Sequence, residues 1–103
     1  MSIQNLTTTT FDKAIEAGNV LVDFWAGWCM PCKMLAPTIE ELSAEFDGRV
    51  AVAKVDIDAE GDLAMRYNVM SIPTVILYKN GAEAKRFIGV QPKNVYADEL
   101  NKL

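Results

Sequence analysis

Two cysteines, the only ones in the chain, stand three positions apart in the segment Trp28-Cys29-Met30-Pro31-Cys32. In an α-helix, residues with this spacing lie on one face with their Cβ atoms about 5–6 Å apart. A disulfide needs about 3.5–4.5 Å between Cβ atoms, so such a pair can open and close with little backbone movement. Cross-linking so short a loop stabilises a fold by only about 2 kcal/mol, which suits reversible redox chemistry better than a structural role.

The place of the cysteines after an apolar run indicates thiol–disulfide exchange. This reaction needs an attacking thiolate and a second thiol that resolves the mixed disulfide. We expect Cys29 to attack, because unpaired backbone N–H groups and the positive end of the helix dipole stabilise a thiolate at a helix start. Cys32 lies one turn inside, so we expect it to be more shielded and to act as the resolving thiol. Pro31 withholds one N–H at the helix start, so fewer donors reach the sulfur.

Other uses of the cysteine pair stay open from the residues alone. Two buried structural thiols are one alternative. A zinc site is another, although zinc usually takes four protein ligands, or three and a water. The chain has no histidine, so a metal would need carboxylates, or a four-cysteine site or iron–sulfur cluster shared between two chains. We favour redox exchange and expect neither a metal nor a bound cofactor. The lack of histidine also excludes a histidine-based general base or triad.

Two charged residues interrupt apolar, strand-like runs. They are Asp23 within residues 20–25 and Lys54 within residues 50–55. Aspartate is disfavoured in strands and is rarely buried without a partner. One interpretation places Asp23 at a strand end that reaches water. The interpretation we favour is a buried carboxyl behind the dithiol, with a pKa raised by desolvation, that accepts the proton of Cys32 and has Lys54 as its counter-charge.

Hydrophobic periodicity and turn residues predict alternating strands and helices around these groups. A threonine of the run 7–10 should cap the first helix, Gly18 should end it, and Pro37 should kink the second. An Asn-Gly turn makes the last strand antiparallel to its neighbour. The predicted elements after the first helix are a strand at 19–25, a helix at 29–46, a strand at 50–57, a helix at 59–67, strands at 75–78 and 83–88, and a helix at 92–103. The predicted class is α/β, with a mixed central sheet flanked by helices on both faces.

Composition bounds the kind of protein. The 103 residues, half of them hydrophobic, fit one compact domain over residues 1–103. Ten basic and fourteen acidic side chains give a net charge of −4, which disfavours nucleic acid as a partner. No apolar stretch is long enough to span a membrane. Residues 1–5 lack the basic start and apolar run of a signal peptide, so we expect a cytoplasmic location. In a reducing compartment an isolated C-x-x-C is more often catalytic than structural.

Several motifs together resemble the thioredoxin family from one end of the chain to the other. They are Val22-Asp23-Phe24-Trp25-Ala26-Gly27-Trp28-Cys29-Met30-Pro31-Cys32-Lys33, Lys54-Val55-Asp56 and Ser71-Ile72-Pro73-Thr74, with Gly81 and Gly89. One position departs, because the family most often has glycine where this chain has Met30. The resemblance implies the thioredoxin fold and disulfide reduction. It assigns the dipeptide Met30-Pro31 to tuning of the redox potential, with the proline typical of the reducing branch.

The resemblance also implies a client-binding surface. Ile72-Pro73, an ordinary turn from sequence alone, is implied to be a cis peptide packed against the disulfide, with the backbone of Ile72 pairing to an extended client segment. The implied apolar patch around Cys29 consists of Trp28, Met30, Ile72, Gly89 and Val90. Trp25 is expected to support the core. Three further methionines are expected to be packing residues, with the last reaching the rim of the patch: Met34, Met65 and Met70.

The resulting hypothesis is a monomeric, cytoplasmic protein-disulfide reductase that cycles between dithiol and disulfide. The resemblance implies two kinds of partner, a thioredoxin reductase that supplies reducing equivalents and client proteins that carry disulfides. Alternatives are a redox partner dedicated to one client, a protein that works as an oxidant, and a non-catalytic binding subunit of a larger assembly.

Overall fold

A five-stranded mixed sheet forms the centre of the protein, whose computed structural model describes residues 3–103. The elements, in chain order, are β1 (Gln4–Asn5), α1 (Phe11–Ile15), β2 (Asn19–Trp25), α2 (Met30–Glu45), β3 (Ala51–Asp56), α3 (Gly61–Arg66), β4 (Thr74–Lys79), β5 (Ala82–Ile88) and α4 (Lys93–Leu100). The strands lie in the order β1-β3-β2-β4-β5. The central strand β2 pairs in parallel with β3 and antiparallel with β4. The predicted α/β class with a mixed sheet is confirmed.

Helices cover both faces of the sheet, because β2 presents apolar side chains to each face. On one face, Leu21 belongs to a buried cluster with side chains of α2 and α4, among them Leu35, Ile39, Leu42, Tyr96 and Leu100. On the other face, Val20, Val22 and Phe24 belong to a cluster with α1 and α3, through Phe11, Ile15 and Leu63. Burial of each large apolar side chain contributes about 1.5–3 kcal/mol. The two clusters therefore fix the helices relative to β2.

The register of the sheet places Asp23 on the face that α2 and α4 cover. Asp23 has Lys54 of β3 and Val75 of β4 as its Cα partners. Since side chains alternate along a strand, Asp23 shares its face with Leu21. Leu21 and Val75 both lie in the cluster that includes α2 and α4. The carboxyl group is therefore inside the protein, on the side of the sheet from which α2 carries the cysteines.

Several local predictions need correction. Thr10 occupies the N-cap position of α1 but makes no side-chain bond to the helix, because its hydroxyl accepts the N–H of Thr7 at 2.9 Å. The prediction that a threonine occupies the N-cap is therefore confirmed, but the side-chain bond expected of a capping threonine is not made. Helix α1 ends at Ile15, before Gly18, which adopts a positive φ of 101° in the turn that follows. Strand β1 was not predicted. Pro37 lies inside α2, and the kink expected there stays a prediction.

The other boundaries agree with the predicted elements to within a few residues, and β5 runs antiparallel to β4 as expected. Met1 and Ser2, which the predicted single domain includes, lie outside the described residues. Among residues 3–103, no helix has both the length and the apolar character that crossing a bilayer requires.

Candidate functional site

The two cysteines lie at the start of α2, directly after the turn that leaves the central strand. Cys29 is the N-cap residue of α2, and its Sγ accepts the backbone N–H of Cys32 at 3.2 Å. The two residues form a disulfide, with their Cα atoms 5.3 Å apart. Pro31 falls in the first turn of the helix, where its missing N–H leaves no intrahelical bond unmade. The sequence thus places one sulfur where a helix start can stabilise negative charge.

Solvent exposure does not distinguish the two cysteine residues. Cys29 and Cys32 are each only 4% exposed in the disulfide form. The expectation that Cys32 is the more shielded of the two is therefore wrong for this state. The structural asymmetry lies in position along the helix, because Cys29 caps α2 and accepts an amide N–H whereas Cys32 lies within the first turn.

Asp23 is a buried carboxyl with no hydrogen-bond partner among residues 3–103. The residue is 1% exposed in the middle of β2, which excludes the interpretation of a strand end reaching water. Neither carboxylate oxygen has a hydrogen-bond partner among the described residues. Burial raises the pKa of Asp23 to about 6, and the nearby positive charge of Lys54 partly offsets that rise. The carboxyl group therefore titrates close to neutral pH, as general acid–base chemistry requires.

Lys54 acts on Asp23 through space and not through a hydrogen bond. Its Nζ lies 4.8 Å from the centroid of the Trp25 ring, within the range of a cation–π interaction. The residue is half-buried, as is Trp25. Its charge lowers the pKa of Asp23, although neither oxygen of that carboxyl group has a hydrogen-bond partner in the described part of the chain. The expected counter-charge is present, and it also lies over the Trp25 ring.

The segment Ile72-Pro73 lies against the disulfide. The peptide bond between these residues is cis, as the family resemblance implies. The carbonyl oxygen of Ile72 is 3.9 Å from Cys29 Sγ, and Ile72 packs against the buried cluster that contains both cysteines. The carbonyl of Pro73 accepts the N–H of Gly89 at 2.9 Å. This chain of contacts brings Ile72, Pro73 and Gly89 next to Cys29.

Apolar side chains project into solvent around this segment. Trp28, Met30 and Val90 are all exposed, although each is an apolar residue of the predicted patch. Three other methionines are also exposed, which corrects the expectation that they pack in the core: Met34, Met65 and Met70. Exposed apolar side chains that border a reactive group are typical of an interaction surface.

Comparison with known proteins agrees with this geometry. A family model described as Thioredoxin matches residues 2–102. The chain belongs to the thioredoxin family. A thioredoxin of Staphylococcus epidermidis is 47% identical over 102 residues, which cover 99% of this chain and 98% of the relative. A thioredoxin of Staphylococcus aureus is 46% identical with the same coverage.

As a thioredoxin family member, the protein is a thiol–disulfide oxidoreductase with the fold described above, and its redox pair is Cys29–Cys32. The predicted family, fold class and disulfide-reductase activity are confirmed. The individual roles of the residues around the pair stay predictions.

One residue that holds the start of the loop before Ile72 was not predicted from the sequence. Arg86 of β5 donates to the backbone carbonyls of Tyr67 at 2.7 Å and Asn68 at 3.0 Å, directly after α3. The guanidinium also pairs with Glu83 at 2.8 Å. Arg86 therefore anchors the beginning of the loop that leads to Ile72. Charged residues on an edge strand usually face solvent. The sequence around Arg86 therefore gives no indication of its backbone partners.

Proposed function

We propose that the protein reduces disulfides in client proteins through a cycle in which Cys29 attacks and Cys32 resolves. The observation that carries this assignment is the N-cap position of Cys29, whose sulfur accepts the N–H of Cys32. In the dithiol form the same N–H and the helix dipole stabilise a thiolate on Cys29 and lower its pKa. Cys32 lies inside the first turn, where the dipole favours a thiolate less.

The exchange consists of two displacements. The Cys29 thiolate attacks one sulfur of the client disulfide, so a Cys29–client bond forms and the second client sulfur leaves as a thiolate. Cys32 then loses its proton and attacks Cys29 Sγ. This step forms the Cys29–Cys32 disulfide and releases the first client sulfur as a thiolate. The client gains two electrons and the redox pair loses two.

Asp23 is proposed to accept the proton that Cys32 must lose. Two features support this role: its pKa of about 6, and two carboxylate oxygens whose lone pairs no described residue engages. A base whose pKa lies near the working pH is available in its ionised form and still transfers protons efficiently. Lys54 favours the ionised form of Asp23 and so keeps part of the population ready to accept the proton.

The client is proposed to bind as an extended segment along Ile72, with its disulfide over Cys29. The backbone of Ile72 lies next to the sulfur and offers polar groups for strand-like pairing, the mode in which main-chain bonds give affinity without requiring a particular sequence. The exposed side chains of Trp28, Met30 and Val90 would flank such a segment. Pairing through main-chain bonds favours a broad range of clients over a single one.

The proposal includes a cytoplasmic, monomeric protein that a thioredoxin reductase returns to the dithiol form. Full-length similarity to bacterial thioredoxins supports this choice of reductant. A reducing compartment supports turnover, because a dithiol persists where glutathione and related systems keep thiols reduced.

The test is reduction of insulin, a protein with accessible disulfides, in the presence of NADPH and a bacterial thioredoxin reductase. We expect multiple turnovers, none of which occur with the Cys29→Ser/Cys32→Ser double variant. A folded protein that binds clients without turnover would instead be a binding subunit. The reduction potential separates a reductant from an oxidant: we expect a value more negative than about −220 mV, the upper end of the cytosolic glutathione potential measured by extraction.

A further inference from the structure

We propose that Met30, Met34 and Met70 form a modification site for hydroperoxides, and that their oxidation to sulfoxides weakens the docking of clients. The inference rests on the proposed function, because it assigns these side chains to the surface on which clients dock. It names a form of regulation that acts on the binding surface and leaves the redox pair itself unchanged.

The first observation is that the methionines are outside the core. Met30, Met34, Met65 and Met70 are 67%, 70%, 79% and 93% exposed, and the buried core of residues 3–103 contains no methionine. Methionine is ordinarily among the residues most often buried. Core packing therefore does not account for these four side chains, and their thioether sulfurs are accessible to solutes.

The second observation is the placement of three of them around the redox pair. Met30 directly follows Cys29, and Met34 lies four positions further along α2, on the same face of the helix. Met70 lies two positions before Ile72, whose carbonyl oxygen is 3.9 Å from Cys29 Sγ. Two different elements thus carry exposed methionines within a few residues of Cys29 or of the segment that contacts it.

Met65 lies on a different element from Met30 and Met34 and from the loop that carries Met70, and it is also exposed. It lies on α3, which packs on the opposite face of the sheet from α2. It is as exposed as its counterparts near the disulfide. The chain therefore contains its own matched control for oxidation away from the docking surface.

The redox state of the cysteines determines when the methionines react. In the disulfide form both cysteines are bonded and no free thiol is present among the described residues. In the dithiol form a Cys29 thiolate would be the preferred target of a peroxide. Methionine oxidation therefore accumulates when the supply of electrons fails and the disulfide form persists.

The modification is a two-electron oxygen transfer. The thioether sulfur attacks the distal oxygen of the hydroperoxide, the O–O bond breaks, and an S–O bond forms. The proton of the distal oxygen passes to the departing oxygen, so the sulfur is oxidised to a sulfoxide and the peroxide is reduced to an alcohol, or to water when it is hydrogen peroxide. The flexible apolar side chain becomes polar, so burying it against a client segment carries a desolvation penalty that the thioether does not have.

The experiment treats the disulfide form with hydrogen peroxide, removes the peroxide, and maps the sulfoxides by peptide mass spectrometry. The rate of insulin reduction is then measured against insulin concentration with excess dithiothreitol as the electron donor. We expect sulfoxides at Met30, Met34 and Met70, and a KM that rises at least about threefold while kcat stays unchanged. The untreated protein provides the reference. If it fails to reduce insulin, the proposed function fails, whereas an active protein that peroxide does not affect overturns only this inference.

Two variants assign the effect to the docking surface. A Met30→Leu/Met34→Leu/Met70→Leu protein keeps apolar side chains that peroxide does not oxidise, so we expect its KM to be the same before and after treatment. A Met65→Leu protein should respond to peroxide as the unmodified sequence does. An equal rise in KM for the triple variant would place the sensitive group elsewhere and overturn the assignment, as would loss of the response in Met65→Leu.

Discussion

Replacement of Asp23 by asparagine should stabilise the folded protein at neutral pH, even though it alters a residue of the site. The carboxyl group is buried in the central strand without a hydrogen-bond partner among the described residues. Burial raises its folded-state pKa from 3.8 to about 6. The folded protein therefore keeps a proton over a pH range in which the unfolded chain has already released it.

The magnitude follows from the size of this pKa difference. A tenfold change in a protonation equilibrium corresponds to about 1.4 kcal/mol, so a rise from 3.8 to about 6 corresponds to about 3 kcal/mol. The favourable contribution is complete below the unfolded pKa and is lost as the pH rises through about 6. Above that pH the ionised carboxylate destabilises the fold relative to a neutral side chain of the same shape.

The assay is urea unfolding of the disulfide form of both proteins between about pH 4 and pH 8. Asparagine brings its own buried amide, but any cost of that amide is independent of pH and cancels from the trend. We expect the stability of Asp23→Asn relative to the original protein to increase by about 2 kcal/mol across this range. The variant should also resolve mixed disulfides more slowly, because the proposed proton acceptor of Cys32 is lost.

Glu83 provides a control for which the expected pH dependence of stability has the opposite sign. The hydrogen bond from Arg86 lowers the pKa of Glu83, so its contribution to stability is present above the unfolded pKa and is lost as the pH falls through the folded value. Glu83→Gln should therefore be less stable than the original protein at neutral pH, with a difference that shrinks in acid. Parallel stability curves for Asp23→Asn and the original protein would refute the buried, proton-retaining carboxyl. It would also be refuted if Asp23→Asn were the less stable protein and its deficit became larger as the pH rises.

Three other substitutions test separate parts of the structure. Met30→Gly should shift the reduction potential by less than about 30 mV, since Met30 brings no charge to Cys29, while client and reductase kinetics change more; a larger shift with unchanged kinetics would contradict this. Arg86→Met should lower the unfolding free energy by about 1–2 kcal/mol through the loss of its bonds to Tyr67 and Asn68, and a loss no larger than that of Glu83→Gln would show that these bonds contribute little. Tyr78→Phe removes a buried hydroxyl that has no described partner, so urea unfolding should show an unchanged or higher stability, by up to about 1 kcal/mol; a clear loss would reveal a partner for that hydroxyl.

Elements with a strong hydrophobic pattern could be predicted from the sequence. Strand β2 contains an apolar run that only Asp23 interrupts, and helix α2 repeats its apolar residues along one face, which fixes the type and the approximate bounds of each element. Strand β1 could not be predicted, because Gln4 and Asn5 are exposed and their only indication of strand structure is the pairing with β3, distant in sequence. The missing side-chain bond at the N-cap of α1 was also not indicated by the sequence, because the hydroxyl of Thr10 bonds to the preceding turn instead of the helix.

Some side chains of the site could be predicted from the sequence and others could not. Asp23 and Lys54 are conspicuous because they interrupt apolar runs, and the structure brings them together as Cα partners. The methionines were misassigned because residue type predicts burial only on average, whereas the exposure of Met34 and Met70 depends on which helix face and loop the fold leaves uncovered. Arg86 was missed because its partners are carbonyls of residues 18 and 19 positions away, which no local pattern indicates.

The order of the cysteines is the central claim, and trapping tests it most directly. Each single variant is incubated with an oxidised client, and the mixed disulfides are resolved by non-reducing electrophoresis and peptide mass spectrometry. Cys32→Ser should accumulate a stable Cys29–client disulfide, whereas Cys29→Ser should form none at a comparable rate and should reduce no client. Accumulation of a Cys32–client disulfide in Cys29→Ser, with no trapping through Cys29, would contradict the assignment of Cys29 as the attacking thiolate.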